Sequence, residues 1–458
     1  MSSFAVGANQ PTMHMETAVL HNRALSYTLT LYNALQVFEL IGVDLPDPNS
    51  KPKPLPVKIN ALWNAFGCLF YLGCQWIITV LVVVLSSNYS NSGILAYAMS
   101  IGNMFASISL FKVRTYQVSD INDEYSARNY VCFRLLTIAT SFIVIGIYTT
   151  VITNSWTMTV ATIAYLLFKT DETFADVLYG IEQKNGRMDF IGKSQLIRGV
   201  CSLIGFIVPI LITQEVVFSI LGMMLLCAST TLIYDRKRAR LFDDIRPRIS
   251  RNEVKGLVRA CLLPTIANLC ATSIVSVARQ MYGNAAGEEL LGIYASIATP
   301  AVLIQAGASY LYSPLIGSMA AALFNDGLSA FIKIYIKVLG LMIGAMAVVV
   351  AGFTVIGNPL LRMVYGQSIE GYIWLLPYAL LATASIALLL YINDVLIVLR
   401  DNFAQLIINL IALALVVLTS GTLISTLEMN GINVAIVLAC APSIVIGTIA
   451  IIKKSNQH

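Results

Sequence analysis

Apolar runs of about 20 residues, the length that crosses a bilayer as a helix, succeed one another along most of the chain, separated by short polar stretches. Twelve can be drawn: 60–86, 92–112, 130–152, 155–176, 191–212, 214–234, 257–279, 289–321, 332–356, 370–398, 403–424 and 431–452. The pattern predicts an all-α integral membrane protein of twelve transmembrane helices. Composition agrees: 57% of residues are hydrophobic and only 12% charged, against about 25% charged in a soluble domain.

Residues 1–57 read as a polar cytoplasmic tail. Within it, Ala24 to Leu45 is apolar-rich but broken by Asn33, Gln36 and Glu39, which suits a helix lying on the membrane surface better than a span. Pro46, Pro48, Pro52, Pro54 and Pro56 then mark an extended linker. The opening shows no cleavable signal pattern.

Charge sets the orientation. When the spans are assigned to alternate sides, only Arg279 and Arg362, of 29 Lys and Arg, fall on one of them. The other side carries the tail, the loops after every second span and the C-terminus. The positive-inside rule therefore makes both termini cytoplasmic. The longest inner loop, 235–256, reads DRKRARLFDDIRPRISRNEVKG and divides the spans into halves of six, 58–234 and 257–458. A short echo, Gly93-Ile-Leu-Ala-Tyr before span 2 and Gly292-Ile-Tyr-Ala-Ser before span 8, is what a duplicated six-helix unit leaves behind.

Catalysis finds little to work with. The three histidines, His14, His21 and His458, lie in the tails. The eight cysteines sit in or beside apolar runs with no CxxC pair, so they read as packing residues. No HExxH, GxSxG or phosphate-binding Gly loop occurs, and the outer loops are too short to seat a glycan acceptor. Neither an enzyme nor a metal or other cofactor is expected, and the spacing of basic residues between spans does not suit nucleic acid.

The polar residues that remain suggest a transport path. Arg114, Gln117 and Asp120 follow span 2, and Arg134 opens span 3. In the hairpin from Lys169 to Arg198, Glu172, Asp176, Gln183 and Arg187 share one helical face, which suits an inner gate that pairs with Arg114 or Arg134. Asp394 near the inner end of span 10 is a further gate candidate or a solvated helix end. Lys333 and Lys337, one turn apart, could join Arg114 and Arg134 in a positive inner vestibule suited to phosphate. Arg279, alone near the outer end of span 7, could meet the same phosphate after transit, or touch lipid headgroups. Asn60, Trp63 and Asn64 open span 1 and could meet sugar hydroxyls, although Trp is also a common interfacial anchor. Gly340 and Gly344 read as a close helix-packing pair. Span 1 carries no acid to couple an ion.

These stretches resemble a known family. KINALWNAFGCLFYLGCQWIITVLVV from Lys58, VRTYQVSDINDEYS at 113–126, DVLYGIEQKNGRMDFIGKS at 176–194, LGIYASIATP at 291–300 and GNPLLRMVYG at 357–366 resemble the bacterial polysaccharide flippases of O-antigen and capsule type. These belong to the multidrug/oligosaccharidyl-lipid/polysaccharide exporter superfamily. The resemblance implies two six-helix bundles around a central cavity in the bacterial cytoplasmic (inner) membrane. It also implies a polyprenyl-pyrophosphate-linked oligosaccharide as substrate, with membrane lipids, a polysaccharide polymerase and chain-length proteins as partners. Arg114, Gln117, Asp120, Asp176, Gln183 and Arg187 carry the match. The acid-free first span departs from the ion-coupled drug exporters. Other readings are a small-molecule exporter of the same superfamily, a twelve-span facilitator of the major class and a membrane scaffold for glycan synthesis. The loop KVRTYQVSD lacks the Gly-x-x-x-Asp-Arg-x-Gly pattern expected of the facilitator.

Overall fold

The computed structural model describes residues 52–120, 123–325 and 327–455. The tail helix expected at 24–45 and all three histidines lie outside the described residues. The described chain is helical, without strands. The helices are α1 (Val57–Val84), α2 (Ser90–Leu110), α3 (Val113–Ser119), α4 (Ala127–Ile152), α5 (Trp156–Lys184), α6 (Met188–Thr213), α7 (Val216–Ala239), α8 (Arg251–Ala286), α9 (Glu288–Asn325), α10 (Leu328–Tyr365), α11 (Leu376–Val398), α12 (Asn402–Leu427) and α13 (Asn430–Ser455). A 3₁₀ segment, Gln367–Leu375, leads into α11.

Ten of the helices are long and apolar enough to cross a membrane. Their outward faces carry Leu62, Ile147, Val151, Val355, Met363 and Leu418, all strongly exposed. In water that surface would be untenable; in hydrocarbon it is the expected exterior. The chain is a multi-pass membrane protein. Two long helices where spans were expected, α5 and α9, are not among the ten. α5 continues past the apolar run to Lys184 because its polar end is paired inside the protein.

In the first half, α1 packs on α6, α6 on α7, and α5 on α2, α4 and α7. In the second, α8 packs on α12, α12 on α13, and α11 on α9 and α13. α2 joins the halves, lying against both α8 and α9. Close glycine contacts set these distances. Carbons built as Cβ on Gly67 and Gly192 would fall 2.4 Å from the Gly192 and Trp63 carbonyl oxygens respectively, so α1 and α6 touch backbone to backbone.

Gly340 and Gly344 behave otherwise. Nothing lies within 4 Å of a Cβ at either position. Both are exposed on α10, so this GxxxG closes no helix pair. Small residues permit close approach without enforcing it.

The connector after α7 is folded rather than loose. Phe242 and Ile245 are buried with Tyr125, Tyr130, Val131, Phe190 and Leu257. Asn129 Nδ2 donates to the Arg248 carbonyl at 3.0 Å, and Ser250 with Glu253 forms a capping box that starts α8.

Candidate functional site

The hairpin between α5 and α6 turns in three residues. Gly186 adopts φ +67°, and the Arg187 amide reaches back to the Glu182 carbonyl at 2.9 Å. This is the Schellman ending that glycine allows. The Pro-rich linker docks on it: the Leu55 amide donates to the Gly186 carbonyl at 3.0 Å. Asn60 completes the joint. Its Nδ2 donates to the Leu55 and Gly186 carbonyls at 3.0 and 2.7 Å, and its Oδ1 accepts from the Met188 amide at 2.8 Å. With all three bonds committed and 6% exposure, Asn60 holds the linker to the hairpin and has nothing left for a sugar.

The hairpin face meets α3 and α4. Arg114 donates to Gln183 Oε1 at 3.1 and 2.8 Å and to Asp176 Oδ1 at 3.2 Å. Asp176 Oδ2 accepts from Arg134 at 2.8 Å. Arg134 is fully buried and also donates to the Ser109 carbonyl at 2.7 Å, so it supports the pair from behind and lines no vestibule. The pairing of the hairpin face with Arg114 and Arg134 is therefore present, with Asp176 as the shared acid.

Behind these contacts opens a cavity of about 230 Å³, walled by Tyr71, Arg114, Lys169, Glu172, Asp176 and Arg198 among others. Lys169 and Glu172, one turn apart on α5, pair along its wall at 2.5 Å. Arg198 donates to Asp171 at 2.7 Å and lies 3.7 Å from Asp235. Its charges are mixed, so no plain anion trap results.

A second, small cavity of about 60 Å³ lies where the halves meet, between α1, α2, α8 and α9. Thr79, Ser92, Met99, Ala295 and Thr299 line it together with Arg279. The Arg279 Nε is buried and has no hydrogen-bond partner. Arg279 thus faces the junction of the halves, and its guanidinium keeps a donor free for an anion.

The remaining candidates scatter. Gln117 is buried against Gly180, where an added Cβ would fall 2.1 Å from its Oε1. Asp120 clamps the loop before α4, accepting from the Glu124 and Tyr125 amides at 2.9 and 3.1 Å and from the Tyr130 hydroxyl at 2.8 Å. Burial by itself would raise its pKa. These three bonds and Lys184 outweigh that effect and leave the carboxyl below its ordinary value. Arg187 forms a fork with Asp189, both bonds 2.8 Å, and lies over the Phe190 ring at 4.1 Å. Trp63 stands under the Lys193 ammonium, 5.6 Å from its ring centre, and Asn64 accepts only from the Cys68 thiol. Lys333 and Lys337 are exposed and line neither cavity. Asp394 accepts from the Tyr312 hydroxyl at 2.8 Å. Among the described residues no His, Cys, Asp or Glu group is arranged to hold a metal ion.

Sequence reading missed Asp171, Glu182 and Asp235. Hydropathy treats a helix end as wet, and nothing local says that these acids turn inward.

Comparison with solved structures decides the fold. The chain aligns with an inward-facing multidrug resistance MATE family transporter of the MOP superfamily at TM-score 0.64, covering 83% of this chain and 95% of that one at 13% identity. An outward-facing MATE transporter of the superfamily aligns at TM-score 0.58, with 87% and 96% covered at 15% identity. A MOP superfamily transporter from Pyrococcus furiosus aligns at 0.57, with 89% and 97% covered at 16% identity. The fold is that of the MOP superfamily transporters. No family model matches the sequence. Among curated proteins, the capsular polysaccharide biosynthesis protein CapF of Staphylococcus aureus is 26% identical over 301 residues, 64% of this chain and 74% of CapF. These structural neighbours are membrane transporters, not enzymes.

Proposed function

We propose that this protein is a flippase. It moves a polyprenyl-pyrophosphate-linked oligosaccharide across the bacterial cytoplasmic membrane by alternating access, for surface polysaccharide synthesis. The observation that carries the reading is Arg279: a guanidinium with an unused donor, in a cavity between the halves, on the side otherwise nearly bare of positive charge. A pyrophosphate crossing between the halves is the anion such a group suits. The likeness to a capsule biosynthesis protein and the acid-free α1 favour a lipid-linked glycan over a drug.

In this reading the twelve long helices all span, both termini are cytoplasmic, and the Arg114–Asp176–Gln183 contacts lie at the inner mouth. The pyrophosphate enters there, the sugars occupy the cavity and the polyprenyl chain stays in lipid. An inside-negative potential favours outward movement of negative charge by about 2.3 kcal/mol per charge per 100 mV. Deleting the gene in its host tests the assignment. Loss of surface glycan with unchanged drug susceptibility is expected; raised drug susceptibility with intact glycan would favour a small-molecule exporter.

A further inference from the structure

One buried acid in the first half has no role in the transport path described above. Glu182, near the end of α5, is 0% exposed, and neither of its carboxylate oxygens accepts a hydrogen bond. An ionised carboxylate without donors in such a place would cost several kcal/mol, so the group is neutral there.

Its surroundings sharpen the point. The acids facing it are Asp235 on α7 and Asp189 on α6; the bases are Arg114 on α3, Arg238 on α7 and Arg187 in the hairpin turn. Tyr179 of its own helix and Tyr234 of α7 complete the polar neighbours. Most of these groups have other engagements. Asp189 is forked to Arg187. Asp235 lies beside Arg198, which also holds Asp171. Arg114 serves Gln183 and Asp176. The Arg238 guanidinium lies over the Phe190 and Tyr234 rings at 4.9 and 5.2 Å. From α4, Arg134 is held by Asp176, and α2 carries no acid or base. Asp235 is as deeply buried and its oxygens also accept no hydrogen bond, but it keeps Arg198 at 3.7 Å; Glu182 has neither a hydrogen bond nor an ion pair among the described residues.

A second feature points the same way. Asp235 ends a π-helical turn, Thr231–Asp235, inside α7. Such turns break the regular ladder by one step and recur at functional sites. The turn carries a second buried carboxyl, that of Asp235, into the surroundings of Glu182.

We propose that Glu182 is a proton-binding site of this transporter. It is protonated in the arrangement seen here and releases its proton to cytoplasmic water when α5 and the π turn part. The carboxyl O–H bond breaks, the electron pair stays on the carboxylate, and Arg114 or Arg238 then faces the new charge. The site goes beyond the substrate assignment, and its test needs no substrate.

Infrared titration of the purified protein in lipid nanodiscs reads the group directly. The wild type should show a protonated-carboxyl C=O band at neutral pH that disappears in alkali. Glu182→Gln should lose that band and Asp235→Asn should keep it. In unmutated protein, isotope-labelled glutamate should shift the band and labelled aspartate should not, which covers the case of a variant that fails to fold. A band that survives Glu182→Gln, or follows the aspartate label, overturns the proposal. So does a wild type with no such band whose thermal stability rises with sodium in a Glu182-dependent way, since the site would then hold a cation over an ionised carboxylate.

Discussion

Gly93 and Gly292 meet backbone to backbone across the two halves. A Cβ on Gly93 would fall 1.7 Å from the Glu288 carbonyl oxygen and 2.9 Å from the Gly292 nitrogen; one on Gly292 would fall 2.0 Å from the Tyr89 carbonyl oxygen and 2.9 Å from the Gly93 nitrogen. The contact is reciprocal, as between repeats related by a two-fold axis. It holds the ends of α2 and α9 against each other, and the proposed alternating-access cycle would have to break it. Gly93→Ala or Gly292→Ala should weaken this contact by about 1–3 kcal/mol, the usual cost of overpacking. Thiol labelling of a cysteine placed at Ser92, which is buried beside the contact, should then speed up about five-fold or more. Unchanged labelling in both variants would mean that this end does not open.

Asp176 holds two arginines, and they are not equivalent. Asp176→Ala strands the fully buried Arg134 and should cost about 3–5 kcal/mol of stability. Arg114→Ala removes a partly exposed partner and should cost about 1 kcal/mol. Thermal unfolding in detergent checks the order. Arg114→Ala is therefore the cleaner probe of the inner contact, because it should impair transport without lowering abundance.

Asp120 supplies a pH dependence. Its folded pKa lies below the ordinary value, so the clamp contributes stability above the unfolded pKa of about 4 and loses it as pH falls through the folded value. Asp120→Asn should lie below the wild type in melting temperature at pH 7 and approach it in acid. A constant difference across the range would exclude the clamp as the cause.

Gly186 should resist substitution. An alanine there must keep φ +67° and place its Cβ 2.9 Å from Pro54. The left-handed conformation alone costs about 1–2 kcal/mol. Accelerated proteolysis between Pro52 and Pro56 is the expected readout, because the linker docks through the Gly186 carbonyl.

Ten of the twelve expected spans were legible because a bilayer demands long apolar runs; the runs at 155–176 and 289–321 fall on long helices that are not among the ten. The two segments that echo each other, at Gly93 and Gly292, touch in space. What could not be read was the fate of charge at helix ends. Arg134 and Arg279 look alike in sequence, and each keeps a buried Nε without a partner; Arg134 is held by Asp176 and Ser109, whereas Arg279 lines the cavity between α1, α2, α8 and α9. Asn60 looked like an amide free for sugar and is used up within the hairpin joint. Such roles depend on which neighbour arrives from a distant segment, and no local pattern encodes that.

In the proposed cycle a pyrophosphate-linked glycan crosses between the halves past Arg279. Proteoliposomes carrying a fluorescent polyprenyl-pyrophosphate oligosaccharide test it, with transfer between leaflets followed by quenching. Protein-dependent transfer is expected, and it should fall about ten- to a hundred-fold in Arg279→Gln, matching the loss of one charge-assisted contact of roughly 1.5–3 kcal/mol, with stability unchanged. Absence of protein-dependent transfer under any ion gradient or potential, or full transfer by Arg279→Gln, would contradict it.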